Sequence, residues 1–149
     1  SDHFPTLPAW AEASVAKEDL DRARLRAGIP AVPDDVGPGE LPNEAGLEEN
    51  AISYVKGCYL GQETMARLKA MGQIRRKLLR VAGDGMAPTA RPQALFQGVK
   101  RVGELRTTAP LPDGGYLGFA LVTLLGFDPE KGLSLEPEGA VTLRVVSPP

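Results

Sequence analysis

Glycine and proline divide the second half of the sequence into short runs, and this constrains the fold more than any other feature. After residue 75 the runs are apolar or alternate between apolar and polar, and Gly, Pro and Asp separate them: RRKLLRVAG, QALFQGVKRVGELRTTA, GGYLGFALVTLLGF and GAVTLRVVSPP. A period of two is typical of strands that bury one face. We therefore expect residues 75–149 to form a small antiparallel sheet closed into a barrel.

The first half has helical character. Residues 14–27 predict a helix that Gly28 ends, with Ser14 as its cap and with Glu18 and Arg22 paired one turn apart. Small apolar residues recur on one face at spacings of 4, 3 and 4, so we expect that stripe to pack against a sheet or another helix. The stripe consists of Ala16, Leu20, Ala23 and Ala27.

A long proline-rich loop over residues 30–46 follows this helix and carries Asp34, Asp35, Glu40 and Glu44. Long loops in compact domains are usually functional or wrapped on another surface. Residues 51–55 predict a short strand and residues 61–71 predict a second helix. Helices followed by a separate set of strands indicate an α+β fold, with a boundary near residues 72–77.

Composition excludes several partners. The formal net charge of −2 gives no basic surface for nucleic acid or an anionic membrane, and the sequence contains no run of about 18 apolar residues. With one cysteine and one histidine, His3, we expect no metal site within a single chain. A single cysteine forms no internal disulfide, so we expect a reducing, cytoplasmic location.

That cysteine lies in the stretch KGCYLGQE, residues 56–63. Cys58 precedes the second predicted helix by three residues, Lys56 is two residues away, and Arg67 lies on the helix. Helix N-termini and cations favour the thiolate. Gly57 and Gly61 allow a tight turn or the close approach of a ligand.

A packing role for Cys58 is the alternative, because free cysteine is among the most buried residue types. Lys56 would then be a solvated charge and Tyr59 a core residue. Gln62 and Glu63 would simply be first-turn helix residues favoured by the dipole. Spacing alone does not decide between the two interpretations.

The stretch KGCYLGQE resembles the signature of the YgfZ family of folate-binding proteins, which are relatives of the glycine-cleavage aminomethyltransferase, or T-protein. The flanking RLRAGIP and LPNEAGLEENAISYV, and the following TMARLKAMGQIRRKLLRV, resemble the same family. Weaker similarity continues in GVKRVGELRTTA and GYLGFALV. The resemblance covers the whole chain and is strongest from about residue 24 to 81.

The resemblance implies a fold in three modules around a central hole that binds a tetrahydrofolate-type cofactor. Residues 1–74 would be the latter part of the α/β middle module, and residues 75–149 the C-terminal β-barrel. The N-terminal module would be missing, so we expect a C-terminal fragment with an incomplete folate pocket.

Site residues follow from the same resemblance. Cys58 would be the motif cysteine facing the cavity, with Lys56, Gly57, Tyr59, Gly61, Gln62 and Glu63 as its motif neighbours. Arg67 would meet the anionic folate tail. Glu44 matches a shared loop near the pocket, although it reads equally well as a surface-loop carboxylate. Arg24 reads as a helix surface charge.

Three functions remain open. The first is a folate-binding accessory protein in the maturation or repair of iron–sulfur enzymes and in tRNA modification, with iron–sulfur client or assembly proteins as partners. The second is an aminomethyltransferase-like one-carbon transferase that uses tetrahydrofolate. The third is a non-enzymatic interaction domain with a structural cysteine. The transferase relatives lack the cysteine motif, which favours the first over the second.

Overall fold

A computed structural model describes residues 15–47, 51–53, 57, 61–71 and 74–146, with the backbone alone for residues 64 and 68–71. The elements with bounds inside the described residues are two helices followed by five strands, with a short 3₁₀ helix between the fourth and fifth strands. The helices are α1 (Lys17–Ala27) and α2 (Gln62–Met71). The strands are β1 (Arg76–Gly83), β2 (Gln93–Gln97), β3 (Lys100–Pro110), β4 (Tyr116–Thr123) and β5 (Leu143–Val145), with the 3₁₀ helix at Pro129–Lys131.

The five strands form one antiparallel sheet in the order β2-β3-β4-β1-β5. The two edge strands are joined through a short segment, because Leu133 bridges to Leu143 of β5 and Ser134 bridges to Phe96 of β2. The sheet is therefore curled until its two edges share one connecting segment. The antiparallel sheet expected after residue 75 is confirmed, and each of the four predicted runs contains at least one of its strands.

The central strand β4 is buried on both faces, since its side chains alternate between two cores. Ala120 and Val122 point into the concave core, while Phe119 and Leu121 point to the other face. The concave core contains Val81, Leu95, Val102, Leu105, Tyr116, Ala120, Val122, Leu133 and Leu143. The second core contains Leu25, Val36, Leu78, Ala109, Phe119 and Leu121. A helix and a loop thus cover the outer face of the sheet.

Helix α1 packs on this outer face, but the predicted alanine stripe is wrong. Leu20 of that stripe is 60% exposed and its three alanines are also exposed, whereas Leu25 is completely buried. Two arginines hold the helix at the sheet: Arg22 donates to Pro110 O at 2.9 Å, and Arg80 of β1 donates to Arg26 O. The buried face therefore combines one leucine with charged residues, which a hydrophobic period cannot detect.

Other local predictions have mixed outcomes. Gly28 ends α1 in the left-handed conformation, with φ +72°, as expected. The helix begins after Ala16, while Ser14 lies outside the described residues. Arg22 pairs with Asp19 instead of Glu18. The predicted strand over residues 51–55 is wrong for residues 51–53, because Ala51 ends a helical turn by donating to Leu47 O.

Among the described residues, no helix is both long enough and apolar enough to cross a bilayer.

A glycine and a tyrosine make a close approach where β1 meets β4. Gly83 pairs with Tyr116, and a Cβ at position 83 would lie 2.2 Å from the tyrosine Cζ. The ring therefore needs a glycine opposite it, in the manner of an aromatic ring covering a strand glycine. Tyr116 is 1% exposed, and its hydroxyl has no hydrogen-bond partner within the described residues.

We predict that Tyr116→Phe changes stability in a pH-dependent way. Near pH 7 the variant should equal the wild type or exceed it by up to about 1 kcal/mol, because it removes an unpaired buried hydroxyl. Burial raises the pKa of Tyr116. The wild type therefore keeps the contribution of its neutral phenol below about pH 10, and loses it as pH rises through the raised pKa.

Urea unfolding at about pH 7 and about pH 11 measures both effects. The variant should lose less stability than the wild type between the two pH values. Equal losses of stability in the two proteins would show that folding does not raise the pKa of the Tyr116 phenol.

Candidate functional site

The predicted motif is described in part. Lys56, Cys58 and Tyr59 lie outside the described residues. Gly57, Gly61, Glu63 and Arg67 are exposed and Gln62 is half-buried. Their predicted roles in cofactor binding stay predictions, as does the catalytic role of Cys58.

The motif leads directly into α2, as expected. Gly61 has φ +86° and its carbonyl accepts from Met65 N at 3.1 Å, so the helix begins immediately after it. Only glycine adopts this conformation without strain. A Cβ at position 57 or position 61 would meet no atom of the described residues within 4 Å. Gly61 is thus required by its backbone angle rather than by a close neighbour in that part of the chain.

Gln62, Glu63 and Arg67 have no hydrogen-bond or ion-pair partner in the described part of the chain. Within the described residues, the Arg67 guanidinium and the Gln62 amide are therefore unpaired, and both follow the motif cysteine closely in sequence. A guanidinium of this kind matches carboxylates in general. In the described residues, no group of three or more His, Cys, Asp or Glu side chains is arranged to hold a metal ion.

Glu44 is buried and anchors the long loop to the sheet. It accepts from Arg76 Nε at 3.0 Å and from Arg76 Nη2 at 2.8 Å, and its second oxygen also accepts from Leu41 N at 3.2 Å. Its carbonyl accepts from Leu78 N at 2.7 Å. The hydrogen bond to Glu44 raises the pKa of Arg76 against partial burial. The surface-loop interpretation of Glu44 is wrong, while its part in cofactor binding remains a prediction.

A run of alternating charges continues from this pair across the sheet. Arg76 lies 3.7 Å from Glu40, and Arg106 on β3 lies 2.6 Å from Glu40 and 2.5 Å from Glu104. The loop carboxylates thus sit between arginines of two strands. Long cationic side chains on the sheet hold a loop that has few apolar residues to bury.

Asp35 is the most deeply buried charge of the loop, with a side chain that is 0% exposed. It accepts from Arg24 of α1, from Ala31 N at 2.9 Å and from Thr107 N of β3 at 3.2 Å. One carboxylate therefore joins helix, loop and sheet. Buried carboxylates need such saturation, because an unpaired buried charge is very costly.

Arg24 is correspondingly buried, so its interpretation as a helix surface charge is wrong. Its side chain is 11% exposed and also bonds Asp21 at 2.7 Å. Burial lowers the pKa of Arg24, but the hydrogen bonds that Arg24 donates to Asp21 and Asp35 outweigh this and raise it overall. Burial likewise opposes the ionised form of Asp21, while hydrogen bonds from Lys17 and Arg24 lower its pKa overall.

Together these contacts hold the loop that leads to the motif. Asp35, Glu40 and Glu44 tie residues 35–44 to three arginines and to the β3 backbone. Sequence reasoning noted Asp35 and Glu40 only as loop residues, and Glu44 as a loop residue near the expected pocket. One sequence feature could have indicated the ion pairs: the loop carries four carboxylates, and arginines lie on the flanking helix and on the first strand.

Part of the chain is similar in sequence to known proteins, although no protein-family model matches it. The iron-sulfur cluster assembly factor IBA57, mitochondrial, of Mus musculus is 40% identical over 75 residues, which cover 49% of this chain and 21% of the mouse protein. The tRNA-modifying protein YgfZ of Yersinia enterocolitica is 33% identical over 95 residues, covering 60% of this chain and 29% of that protein.

The resemblance to a YgfZ-like, T-protein-related family is confirmed. The chain spans less than a third of the length of these two curated relatives. Activities of the whole YgfZ-like proteins therefore reach this chain only as proposals.

The fold has a solved counterpart. The glycine cleavage system aminomethyltransferase T from Bartonella henselae superposes with a TM-score of 0.70 at 20% sequence identity. The match covers 85% of this chain and 36% of that one. The curled antiparallel sheet with its few helices is thus a T-protein-like architecture. The assignment of residues 1–74 and 75–149 to particular modules stays a prediction.

We predict that Asp35→Asn destabilises the chain by about 3 kcal/mol, because it leaves the Arg24 guanidinium buried with fewer compensating charges. The neighbouring Asp34→Asn is a matched control: Asp34 is exposed and has no ion pair in the described residues, so its loss should stay within about 0.5 kcal/mol. Denaturant unfolding compares the two variants. Similar losses in both would contradict the role assigned to Asp35.

Proposed function

We propose that this chain contributes to an accessory factor that supports iron–sulfur enzymes, with a folate-type ligand beside the Cys58 thiol. The observation that carries the proposal is the KGCYLGQE stretch within a YgfZ-like chain. A relative named for iron–sulfur cluster assembly and a relative named for tRNA modification both support it.

Cys58 is the reactive group in this proposal. α2 begins at the residue after Gly61, so amide groups at the helix N-terminus follow the cysteine closely in sequence. Such amides and the neighbouring Lys56 favour the thiolate. A thiolate can attack a one-carbon adduct, hold a sulfur or iron species transiently, or sense oxidation.

The folate ligand would be held by its polar and anionic parts. Arg67 would bind the carboxylate tail, and Gln62 would bond to a polar edge. Bound tetrahydrofolate would supply a carrier for one-carbon units. Gly57 and Gly61 would let the ligand approach the backbone, since no atom of the described residues lies within 4 Å of either Cβ position.

A transferase that moves an aminomethyl group is the less supported alternative. The likeness to the Bartonella aminomethyltransferase is at 20% identity and concerns the fold alone. A purely structural cysteine is the other alternative, and the reactivity of the thiol separates it from the proposal.

We predict that Cys58 reacts with iodoacetamide as a thiolate with a pKa below the usual value of about 8.5. Cys58 is the only cysteine, so the pH dependence of the alkylation rate reports on it alone. Tetrahydrofolate should slow the reaction, and Arg67→Gln should remove this protection. Glu18→Gln, an exposed change on α1, is the control and should leave both the rate and the protection unaltered.

A thiol that is unreactive, or that titrates at its ordinary pKa, supports the structural interpretation. Normal thiolate reactivity without any effect of tetrahydrofolate would retain the reactive cysteine and reject the ligand.

The iron–sulfur part of the proposal is tested in cells. Replacing Cys58 by Ser in the chromosomal gene should reduce the activity of iron–sulfur enzymes while the amount of the protein stays constant. Glu18→Gln should have no effect. Unchanged iron–sulfur activities in the Cys58→Ser strain would contradict the proposed function.

A further inference from the structure

A polar cleft of about 420 Å³ opens between α1, the long loop and the sheet. None of the described residues of the KGCYLGQE stretch lines it. Helix, loop and strand all contribute charged or hydroxyl groups to it, and its volume lies within the range of small-molecule sites. Its polar lining includes Lys17, Asp21, Asp34, Arg91, Thr107 and Thr108.

Arg91 is the central group because it is a cation without a carboxylate. Its Nη1 donates to Pro88 O and, at 3.0 Å, to Ala90 O, and its Nη2 donates to Thr108 Oγ1. These contacts fix the guanidinium plane. No carboxylate in the described residues lies within ion-pair distance of it. Desolvation of the guanidinium lowers the pKa of Arg91, although the residue as a whole is exposed.

Two donors of the fixed guanidinium remain available. A guanidinium has five N–H groups, and Arg91 uses three of them, which leaves Nε–H and one Nη2 hydrogen without an acceptor in the described residues. Elsewhere in this chain the same two nitrogens of Arg76 hold the Glu44 carboxylate, at 3.0 Å and 2.8 Å. Arg91 thus offers the same pair of nitrogens with no carboxylate on them.

The other charges of the cleft are mostly compensated. Asp21 is bonded by Lys17 at 2.6 Å and by Arg24 at 2.7 Å, and Arg106 by two glutamates. Asp34 is exposed and has no ion-pair or hydrogen-bond partner in the described residues. Within the described residues, the cleft therefore presents one guanidinium without a carboxylate and one carboxylate without a cation in ion-pair contact.

We propose that this cleft binds a small organic oxyanion, a carboxylate or a phosphate ester, on Arg91, with a hydroxyl or amino group of the same molecule on Asp34. The oxyanion supplies the negative charge that Arg91 lacks among the described residues. A planar two-oxygen group matches the fixed fork of the guanidinium. The proposal does not depend on folate or on Cys58.

Titration of the full ¹⁵N-labelled chain with inorganic phosphate and, separately, with acetate tests the site at constant ionic strength set with chloride. The backbone amides of Thr107 and Thr108 and the Nε of Arg91 should shift saturably with at least one probe. Saturation with phosphate alone identifies a phosphate ester as the ligand class, and saturation with acetate alone identifies a carboxylate. No saturable shift with either probe overturns the proposal.

Two substitutions make the result specific. Arg91→Gln should weaken binding at least tenfold, while Arg101→Gln, which removes an exposed arginine that pairs with Glu104, should leave it unchanged. Asp34→Asn should tighten binding of a plain oxyanion about two- to threefold by removing a nearby negative charge. The last variant changes an exposed residue, so it retains a test if Arg91→Gln fails to fold. Wild-type affinity in either Arg91→Gln or Asp34→Asn contradicts the site.

Discussion

The buried carboxylate of Asp35 is the interaction on which the arrangement of helix, loop and sheet depends. It accepts from a side chain of α1, from the loop backbone and from the backbone of β3. A carboxylate with no exposure is tolerable only while all three donors stay in place. The cost of losing any one donor therefore links the three elements more specifically than apolar contacts would.

Asp35 and its three donors, which we call the Asp35 clamp, act on the outer face of the sheet. Because β4 is buried on both faces, the same strand contributes Ala120 to the concave core and Phe119 to the core beneath α1. Loss of α1 would expose the outer core, and unfolding of the sheet would remove the partners of the loop charges. The loop that leads towards the motif is thus held by a sheet whose own packing depends on the loop.

Much of the sheet could be predicted from the sequence, because alternation and glycine punctuation are local signals. The turn between β2 and β3 is an exception, because the one predicted run over residues 93–109 contains both strands. Gly98 adopts φ +61°, and only Gly98 and Val99 separate the paired Gln97 and Lys100. By contrast, the end of α1 at Gly28 and the start of α2 after Gly61 were local signals. Each follows from what glycine alone can adopt.

The face of α1 and the state of the loop carboxylates were beyond local signals. Ala16 and Leu20 repeat at helical spacing, yet the helix buries Leu25 and Arg24 instead. Arg24 faces inward because it pairs with Asp35 of the loop that follows the helix. Likewise, no sequence pattern near Glu44 predicts its ion pair with Arg76, which lies 32 residues away. Buried ion pairs are set by tertiary structure, so a sequence pattern shows the charges but not their partners.

Native-state hydrogen exchange tests the Asp35 clamp most directly. If Asp35 joins helix, loop and sheet into one cooperative unit, the amides of Leu25 in α1, Leu105 in β3 and Ala120 in β4 should open with the same free energy. Exchange of the Leu25 amide at a much lower free energy than the two strand amides would show that α1 detaches independently, and would contradict this account.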